Sequence, residues 1–168
     1  MTIIILEGFD ESGKSALAQK LSERTGFNIS HPGKRPFDAD DALRMADIQS
    51  GLLHFAEDVD LILDRVTCIS SNCYTWHVTD MFSRHQLQIM NSEHIKVIHC
   101  KYNGAPLTVS EHDRDGSVGF ARKNKDQIIE RYNQLFAGIP HCEYDYTNPD
   151  SFYKVAKYIG FDNFDKTP

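Results

Sequence analysis

The chain has 168 residues, of which 24 are acidic and 18 basic, and its formal net charge is −6. This length suits one domain with a single hydrophobic core, and no apolar run approaches the roughly 18 residues that a membrane span needs. The acidic balance argues against a protein that coats duplex DNA, because such proteins display a basic surface. A small anionic ligand can be bound by only a few basic side chains, so the negative net charge is compatible with an enzyme that acts on nucleotides.

The N-terminal apolar segment lacks a basic leader and a small-residue cleavage site, which is typical of a strand rather than a signal peptide. The four cysteines show no CxxC spacing, which favours reduced thiols. We therefore expect a cytoplasmic protein with no membrane partner.

Apolar periodicity predicts strands that alternate with helices along the whole chain. Short apolar runs predict strands at 2–6, 27–30, 60–66, 95–101 and 142–146. Helical spacing predicts helices at 14–24, 38–57, within 70–91, at 126–137 and at 151–159. Gly26 is expected to end the first helix and Asp38 to cap the second. This alternation implies an α/β fold with a parallel sheet.

Residues 8–15 spell G-F-D-E-S-G-K-S and match the Walker A pattern GxxxxGK[ST]. The glycines let backbone N–H groups approach phosphate oxygens, and the following helix directs its positive end toward them. Lys14 is expected to reach the β- and γ-phosphates of ATP, and the Ser15 hydroxyl to ligate Mg²⁺. The predicted ATP-binding residues are Gly8, Asp10, Glu11, Ser12, Gly13, Lys14, Ser15 and Ala16.

This motif lies between a β-branched run and an amphipathic helix, which is the context that it requires. We therefore predict a three-layer P-loop NTPase fold with a parallel five-stranded sheet flanked by helices, forming a single domain over residues 1–168.

Asp64 ends an apolar strand as a Walker B aspartate does, and we predict it to hold Mg²⁺, directly or through a water molecule. Arg65 follows at the carboxyl end of the same strand, where ligands of α/β proteins bind. Both residues are predicted to be catalytic, and Arg65 also to hold the acceptor.

Three features resemble the thymidylate kinase branch of the P-loop nucleotide kinases, including its compact phage-type members. They are the opening E-G-F-D-E-S-G-K-S at 7–15, the segment L-L-H-F-A-E-D at 52–58, and Asp64-Arg65 followed by Ser70 and Tyr74. The resemblance covers roughly the first half of the chain. It implies a lid over the ATP phosphates that carries arginines. The polar segment 106–125, which is too irregular to belong to the hydrophobic core, is in the right place for this lid. Its candidate arginines are Arg114 and Arg122.

The resemblance also implies which residues bind the acceptor, and it suggests a homodimer. The acceptor-binding candidates are Arg65, Arg35, Arg44 and Tyr74.

The chain departs from this family in three places. His31 stands before Pro32-Gly33 where the family usually has a carboxylate, which is the base in related deoxynucleoside kinases. Ser70 and Tyr74 fall one residue later than the family's spacing, and the segment 55–60 is shorter than in cellular members. The missing carboxylate favours an acceptor that is already anionic, because a phosphate needs less help from a base than a hydroxyl does.

The leading functional prediction is an ATP-dependent kinase of a (deoxy)nucleoside monophosphate such as dTMP. A first alternative is a kinase whose acceptor is a hydroxyl, on a deoxynucleoside or on a hydroxymethylated base in DNA. A carboxylate close to His31 in space would favour that alternative. A second alternative is a non-catalytic NTP-binding protein.

Overall fold

The computed structural model describes residues 1–31, 36–75, 82–104 and 117–161. Five parallel strands form one sheet in the order β2-β3-β1-β4-β5. The strands are β1 (Ile3–Glu7), β2 (Asn28–Ser30), β3 (Leu61–Asp64), β4 (Ile95–Cys100) and β5 (Cys142–Tyr144). Because every strand is parallel, all carboxyl ends meet at one edge of the sheet. Ligands of such sheets bind at this edge.

Seven helices are described around this sheet. They are α1 (Lys14–Thr25), α2 (Ala39–His54), α3 (Thr67–Tyr74), α4 (Phe82–Asn91), α5 (Ser117–Lys123), α6 (Lys125–Phe136) and α7 (Asp150–Tyr158). Two predicted boundary residues are confirmed. Gly26 ends α1 in the left-handed conformation with φ of 77°, and the Asp38 side chain caps α2 by accepting from the N–H of Asp41.

Two separate hydrophobic clusters cover the two faces of the sheet. Ile5 of β1 packs with Ile69 of α3 and Ile128 of α6 on one face. Its neighbour Leu6 packs with Leu17 of α1 on the other face, in the same cluster as Phe152 of α7. Successive strand residues point to opposite faces, so an isoleucine-rich β1 can serve both clusters. The result is the predicted three-layer α/β architecture.

Two predicted elements are wrong. The single long helix expected within 70–91 is two helices, because Thr75 adopts φ of 55° and ends α3. The segment 106–125 is not irregular throughout: α5 begins at Ser117, and its Ala121 is fully buried. Glycine at 119 and basic residues at 122 and 123 hid this helix from the sequence analysis. Residues 105–116 lie outside the described residues.

No helix in the described part of the chain is both long enough and apolar enough to cross a membrane.

Candidate active site

The loop 8–13 connects β1 to α1 at the carboxyl edge of the sheet. Gly8 has φ of 153°, and a Cβ atom there would lie 2.1 Å from the carbonyl oxygen of Cys100 in β4. Gly13 adopts a left-handed φ of 79° immediately before α1 begins. Both glycines are therefore required by backbone geometry, one for close approach to β4 and the other for the turn into the helix.

The Lys14 ammonium lies inside this loop. Nζ donates to the carbonyl oxygens of Gly8 and Phe9 at 2.9 and 2.7 Å and contacts Oγ of Ser12 at 3.1 Å. Burial, together with the nearby charge of Arg65, lowers the pKa of Lys14 to about 8. Among the described residues, the hydrogen bonds of this buried ammonium go to neutral oxygens, which makes it a strong binding group for an anion.

The Ser15 hydroxyl donates to Oδ2 of Asp64 at 2.9 Å. Asp64 is buried at the end of β3, next to β1 in the sheet, and Ser15 lies in the first turn of α1. A hydroxyl and a carboxylate are hard oxygen donors, the ligand type that Mg²⁺ prefers, and they meet at the positive end of a helix. The two residues therefore fit a magnesium ion bound together with a polyphosphate.

Arg65 is held by side chains from neighbouring elements, including the Tyr132 hydroxyl, which lies 3.5 Å from Nη1. Its Nη2 atom donates to Oδ1 of Asp10 at 2.6 Å and lies 3.4 Å from the phenolic oxygen of Tyr74. The Tyr74 hydroxyl itself donates to Asp10 at 2.8 Å. Arg65 has φ of 79°, unusual for a residue other than glycine. This conformation turns the guanidinium from the end of β3 toward the Walker A loop.

Glu7 lies beneath the loop and is fully buried. Its carboxylate accepts from the N–H of Val66 at 2.6 Å, from the Ser70 hydroxyl at 3.1 Å and from the Tyr132 hydroxyl at 2.9 Å. Burial raises the pKa of Glu7, against the opposing charge of Arg65. Its contacts connect β1 to α3 and α6, so the geometry gives Glu7 a structural role at the base of the site.

A cavity of about 190 Å³ opens beside Arg65 at the carboxyl ends of β2 and β3. Its lining combines apolar side chains of α2 with polar groups, and consists of Ser30, His31, Met45, Ile48, Gln49, Leu52, Leu63 and Arg65. The side-chain oxygen Oε1 of Gln49 accepts from the backbone N–H of Thr67 at 2.6 Å. That bond fixes the amide, and the Gln49 Nε2 atom has no hydrogen-bond partner among the described residues. An apolar wall with one fixed amide suits a flat, polar ring such as a nucleobase.

His31 lines this cavity and also contacts Asp64, the partner of Ser15. Its Nδ1 atom is 3.2 Å from Oδ2 of Asp64, the oxygen that also accepts from Ser15. The imidazole is 61% exposed, so the ring remains accessible from the cavity side. The contact follows from the register of β2 and β3, in which Ser30 pairs with Leu63. The residues that come next along the chain, His31 after Ser30 and Asp64 after Leu63, are therefore neighbours.

The structure places most of the predicted site residues around one crevice. Those that contact each other there are Gly8, Ser12, Lys14, Ser15, Asp64, Arg65, Asp10 and Tyr74, while Gly13, Glu11 and Ala16 complete the loop and the first turn of α1.

The other predicted site residues are Arg44, Arg122, Arg35 and Arg114. Arg44 is 73% exposed, pairs with Asp41 on α2 and does not line the cavity. Arg122 is exposed on α5. Arg35 and Arg114 lie outside the described residues.

The sequence did not identify two of the polar side chains at the site. Gln49 and Tyr132 have the spacing of ordinary core positions, and nothing in the sequence marks them as polar partners of Thr67 and Glu7. For His31 the sequence predicted that a nearby carboxylate would favour a hydroxyl acceptor, but it did not identify Asp64 as that carboxylate. The register of two adjacent parallel strands was the signal that could have paired it with Asp64.

No protein-family model matches the chain, and no curated protein matches it significantly in sequence. Solved structures do match. The YorR protein of Bacillus subtilis, in complex with phosphorylated GDP, has a TM-score of 0.58 and 20% identity over 93% of this chain and 92% of that chain. Deoxyadenosine kinase from M. mycoides, with dCMP and dCDP as products, has a TM-score of 0.56 and 14% identity over 93% and 97%.

Shikimate kinase from Bacteroides thetaiotaomicron has a TM-score of 0.57 and 11% identity over 93% of this chain and 97% of that chain. In each of these three comparisons the matched region covers at least 92% of both chains. The chain has the fold of the P-loop kinases.

Proposed function

We propose that the protein is an ATP-dependent phosphotransferase that acts on a small, nucleotide-like acceptor. The observation that carries this proposal is the Ser15–Asp64 hydrogen bond of 2.9 Å, formed beside the buried Lys14 ammonium at the start of α1. One cation, one hydroxyl and one carboxylate converging on a helix N-terminus match the needs of a triphosphate with its magnesium ion. The fold likeness to kinases of nucleosides and other small molecules supports the same conclusion.

In this proposal the backbone N–H groups of residues 8–15 and the Lys14 ammonium bind the ATP phosphates. Ser15 and Asp64 hold Mg²⁺, which neutralises charge on the β- and γ-phosphates. Arg65 orients the acceptor, kept in place by Asp10 and Tyr74. The segment 106–125, with Arg114 and Arg122, excludes water and adds positive charge as a lid.

The first candidate acceptor is a (deoxy)nucleoside monophosphate such as dTMP, as in a thymidylate kinase-like enzyme of the phage type. Arg65 supports it, because this residue lines the acceptor cavity and its guanidinium suits a phosphate. The nucleotides bound in deoxyadenosine kinase and in YorR favour a nucleotide-like acceptor, but they do not distinguish a monophosphate from a hydroxyl. A monophosphate would attack the γ-phosphorus of ATP directly, without transferring a proton to the protein.

A second candidate acceptor is a hydroxyl, on a deoxynucleoside or on a modified base in DNA. The contact between His31 and Asp64 favours this class specifically. Asp64 orients the imidazole, and its Nε2 atom has no hydrogen-bond partner among the described residues. This nitrogen can accept the proton that a hydroxyl loses when it attacks phosphorus. Arg65 is already neutralised by Asp10, which weakens it as a clamp for a doubly charged phosphate.

An acceptor screen tests the proposal. Purified protein with Mg²⁺ and ATP is offered the deoxynucleosides, the deoxynucleoside monophosphates and DNA that carries hydroxymethylated bases, and products are identified by mass spectrometry. The proposal predicts one phosphorylated product class that disappears in Lys14→Ala. Products on monophosphates select the first candidate, and products on nucleosides or DNA select the second. ATP binding without any phosphorylated product would instead support a non-catalytic NTP-binding protein.

A further inference from the structure

A second cluster of chemically active side chains lies at the far edge of the sheet, on β4 and β5. His99 of β4 pairs in register with Glu143 of β5, and His141 precedes Glu143 by two residues. Side chains two residues apart on a strand share one face, and register partners share it too. One ligand atom from each of the three residues lies within 4.8 Å of the other two.

We infer that His99, His141 and Glu143 form a binding site for a divalent transition-metal ion, with Zn²⁺ as the best match. Two imidazoles and one carboxylate are a donor set that zinc takes up, with a fourth position left for water. The site is independent of the predicted magnesium pair, whose donors are all oxygens.

The hydrogen bonds of the two histidines suit this role. Nδ1 of His141 lies 2.9 Å from the carbonyl oxygen of Ile139, so this nitrogen carries the proton and the lone pair of Nε2 is available to a metal. His99 stacks on Phe136 with ring centroids 4.1 Å apart, which fixes the plane of its ring. Within the described residues, neither ring nitrogen of His99 has a hydrogen-bond partner.

The protonation states of the ligands are also favourable. Burial, reinforced by the charge of Lys101, lowers the pKa of His99 to about 3, so its imidazole is neutral at physiological pH. The hydrogen bond from Lys101 lowers the pKa of Glu143, which keeps that carboxylate ionised. Both shifts favour the deprotonated forms of His99 and Glu143, which are the forms that bind a metal.

Lys101 is the competitor for this site. Its Nζ atom lies 3.1 Å from Oε1 of Glu143, with the two side chains 40% and 59% exposed. An ion pair this exposed is weak, so a divalent cation bound by two imidazoles as well can displace the ammonium. Glu143 is exposed enough to shift by the small distance that brings the three ligand atoms to the roughly 2.0–2.2 Å of zinc coordination.

The neighbouring Cys142 does not belong to the site. It packs with the cluster on the α1 and α7 face of the sheet, whereas His99 stacks on Phe136 of α6. A thiolate would give a bound Co²⁺ ion a different spectrum from that of two imidazoles and a carboxylate, which makes cobalt an informative probe.

The test is a titration of the full-length, chelator-treated protein with Co²⁺ in excess Mg²⁺, followed by absorption spectroscopy and by competition with Zn²⁺. We expect one equivalent of Co²⁺ to bind and Zn²⁺ to displace it. His141→Ala and Glu143→Gln should each weaken binding by at least about tenfold, since each removes one of three protein ligands. Lys101→Met should tighten binding several-fold, because it removes the competitor for Glu143.

Two controls make the outcome decisive. His54→Ala removes an exposed histidine elsewhere on the surface and should leave Co²⁺ affinity unchanged. Cys142→Ser should likewise leave the spectrum unchanged. The inference is overturned if no cobalt spectrum develops, if excess Mg²⁺ abolishes it, if Cys142→Ser removes it, or if His141→Ala binds as tightly as the wild-type protein. Circular dichroism of each variant confirms that the fold is retained.

Discussion

Ser15 and Asp64, 49 residues apart in the chain, are joined by a hydrogen bond of 2.9 Å between the serine hydroxyl and the aspartate carboxylate. The pairing exists because β1 and β3 are adjacent parallel strands. β3 therefore ends beside the loop that connects β1 to α1. A magnesium ion bound there would be ligated by both residues and by the phosphates of ATP.

Replacing Asp64 with asparagine tests the metal role of this pair. The amide keeps the shape of the side chain but removes its negative charge, so we expect kcat to fall about 10²- to 10³-fold and the Mg²⁺ concentration for half-maximal activity to rise. Asp47→Asn, at an exposed carboxylate on α2, is the matched control. Unchanged magnesium dependence in Asp64→Asn would remove Asp64 from the metal site.

The lowered pKa of Lys14 predicts how ATP binding depends on pH. With a pKa of about 8, Lys14 loses its proton in the free protein as the pH rises past that value. Only the ammonium form binds phosphate strongly, so the apparent Kd for ATP should increase about tenfold between pH 7 and about pH 9. Calorimetry at a series of pH values measures this change.

Lys14→Arg is the control for that pH dependence, because a guanidinium stays charged throughout this range. Whatever its affinity at neutral pH, the variant should show a Kd that does not change with pH. A wild-type Kd that is equally flat would show that Lys14 does not govern the binding.

The close approach of Gly8 to β4 predicts a loss of stability on substitution. A Cβ atom at position 8 would lie 2.1 Å from the carbonyl oxygen of Cys100, so Gly8→Ala forces β1 and β4 apart or distorts the loop. We expect the free energy of unfolding to fall by about 2–4 kcal/mol in urea titrations.

Gly51→Ala provides the comparison, since a Cβ atom there meets nothing within 4 Å and the residue lies inside α2. This substitution should raise the free energy of unfolding by about 0.5–1 kcal/mol. If Gly8→Ala were as stable as the wild-type protein, the packing of the loop against β4 described above would be incorrect.

The contact between His31 and Asp64 predicts an effect that depends on the class of acceptor. If a hydroxyl is phosphorylated, His31→Ala should lower kcat about 10²- to 10⁴-fold, because the proton acceptor is lost. If a monophosphate is phosphorylated, the same variant should change kcat by less than about threefold, since no proton is transferred. His54→Ala serves as the control for removing an exposed imidazole.

Much of the fold followed from local sequence patterns. The isoleucine-rich β1 packs in both clusters as the continuous apolar run predicts, and Gly26 and Asp38 end and begin helices through backbone physics that requires no tertiary information. The break between α3 and α4 was not predictable in this way, because it depends on Thr75 adopting a left-handed conformation that threonine rarely favours.

The site likewise contains residues that local sequence identifies and contacts that only the fold determines. The Walker A residues are contiguous and carry their own spacing, so the loop was identified without knowledge of the fold. The link between Asp10 and Arg65 and the contact between His31 and Asp64 join residues on different strands and loops. They depend on strand order and register, which periodicity does not provide. Arg44 is a predicted site residue that the fold places elsewhere. Its position on a helix did not reveal that its guanidinium pairs with Asp41 at the surface.

The most direct test of the central claim is calorimetric titration of the folded protein with ATP, with and without Mg²⁺. The account predicts one ATP bound per chain, tighter binding when Mg²⁺ is present, and loss of binding in a folded Lys14→Ala variant. No heat of binding from wild-type protein of native circular dichroism, or equal binding by Lys14→Ala, would contradict the assignment of residues 8–15 as a cradle for the phosphates of ATP.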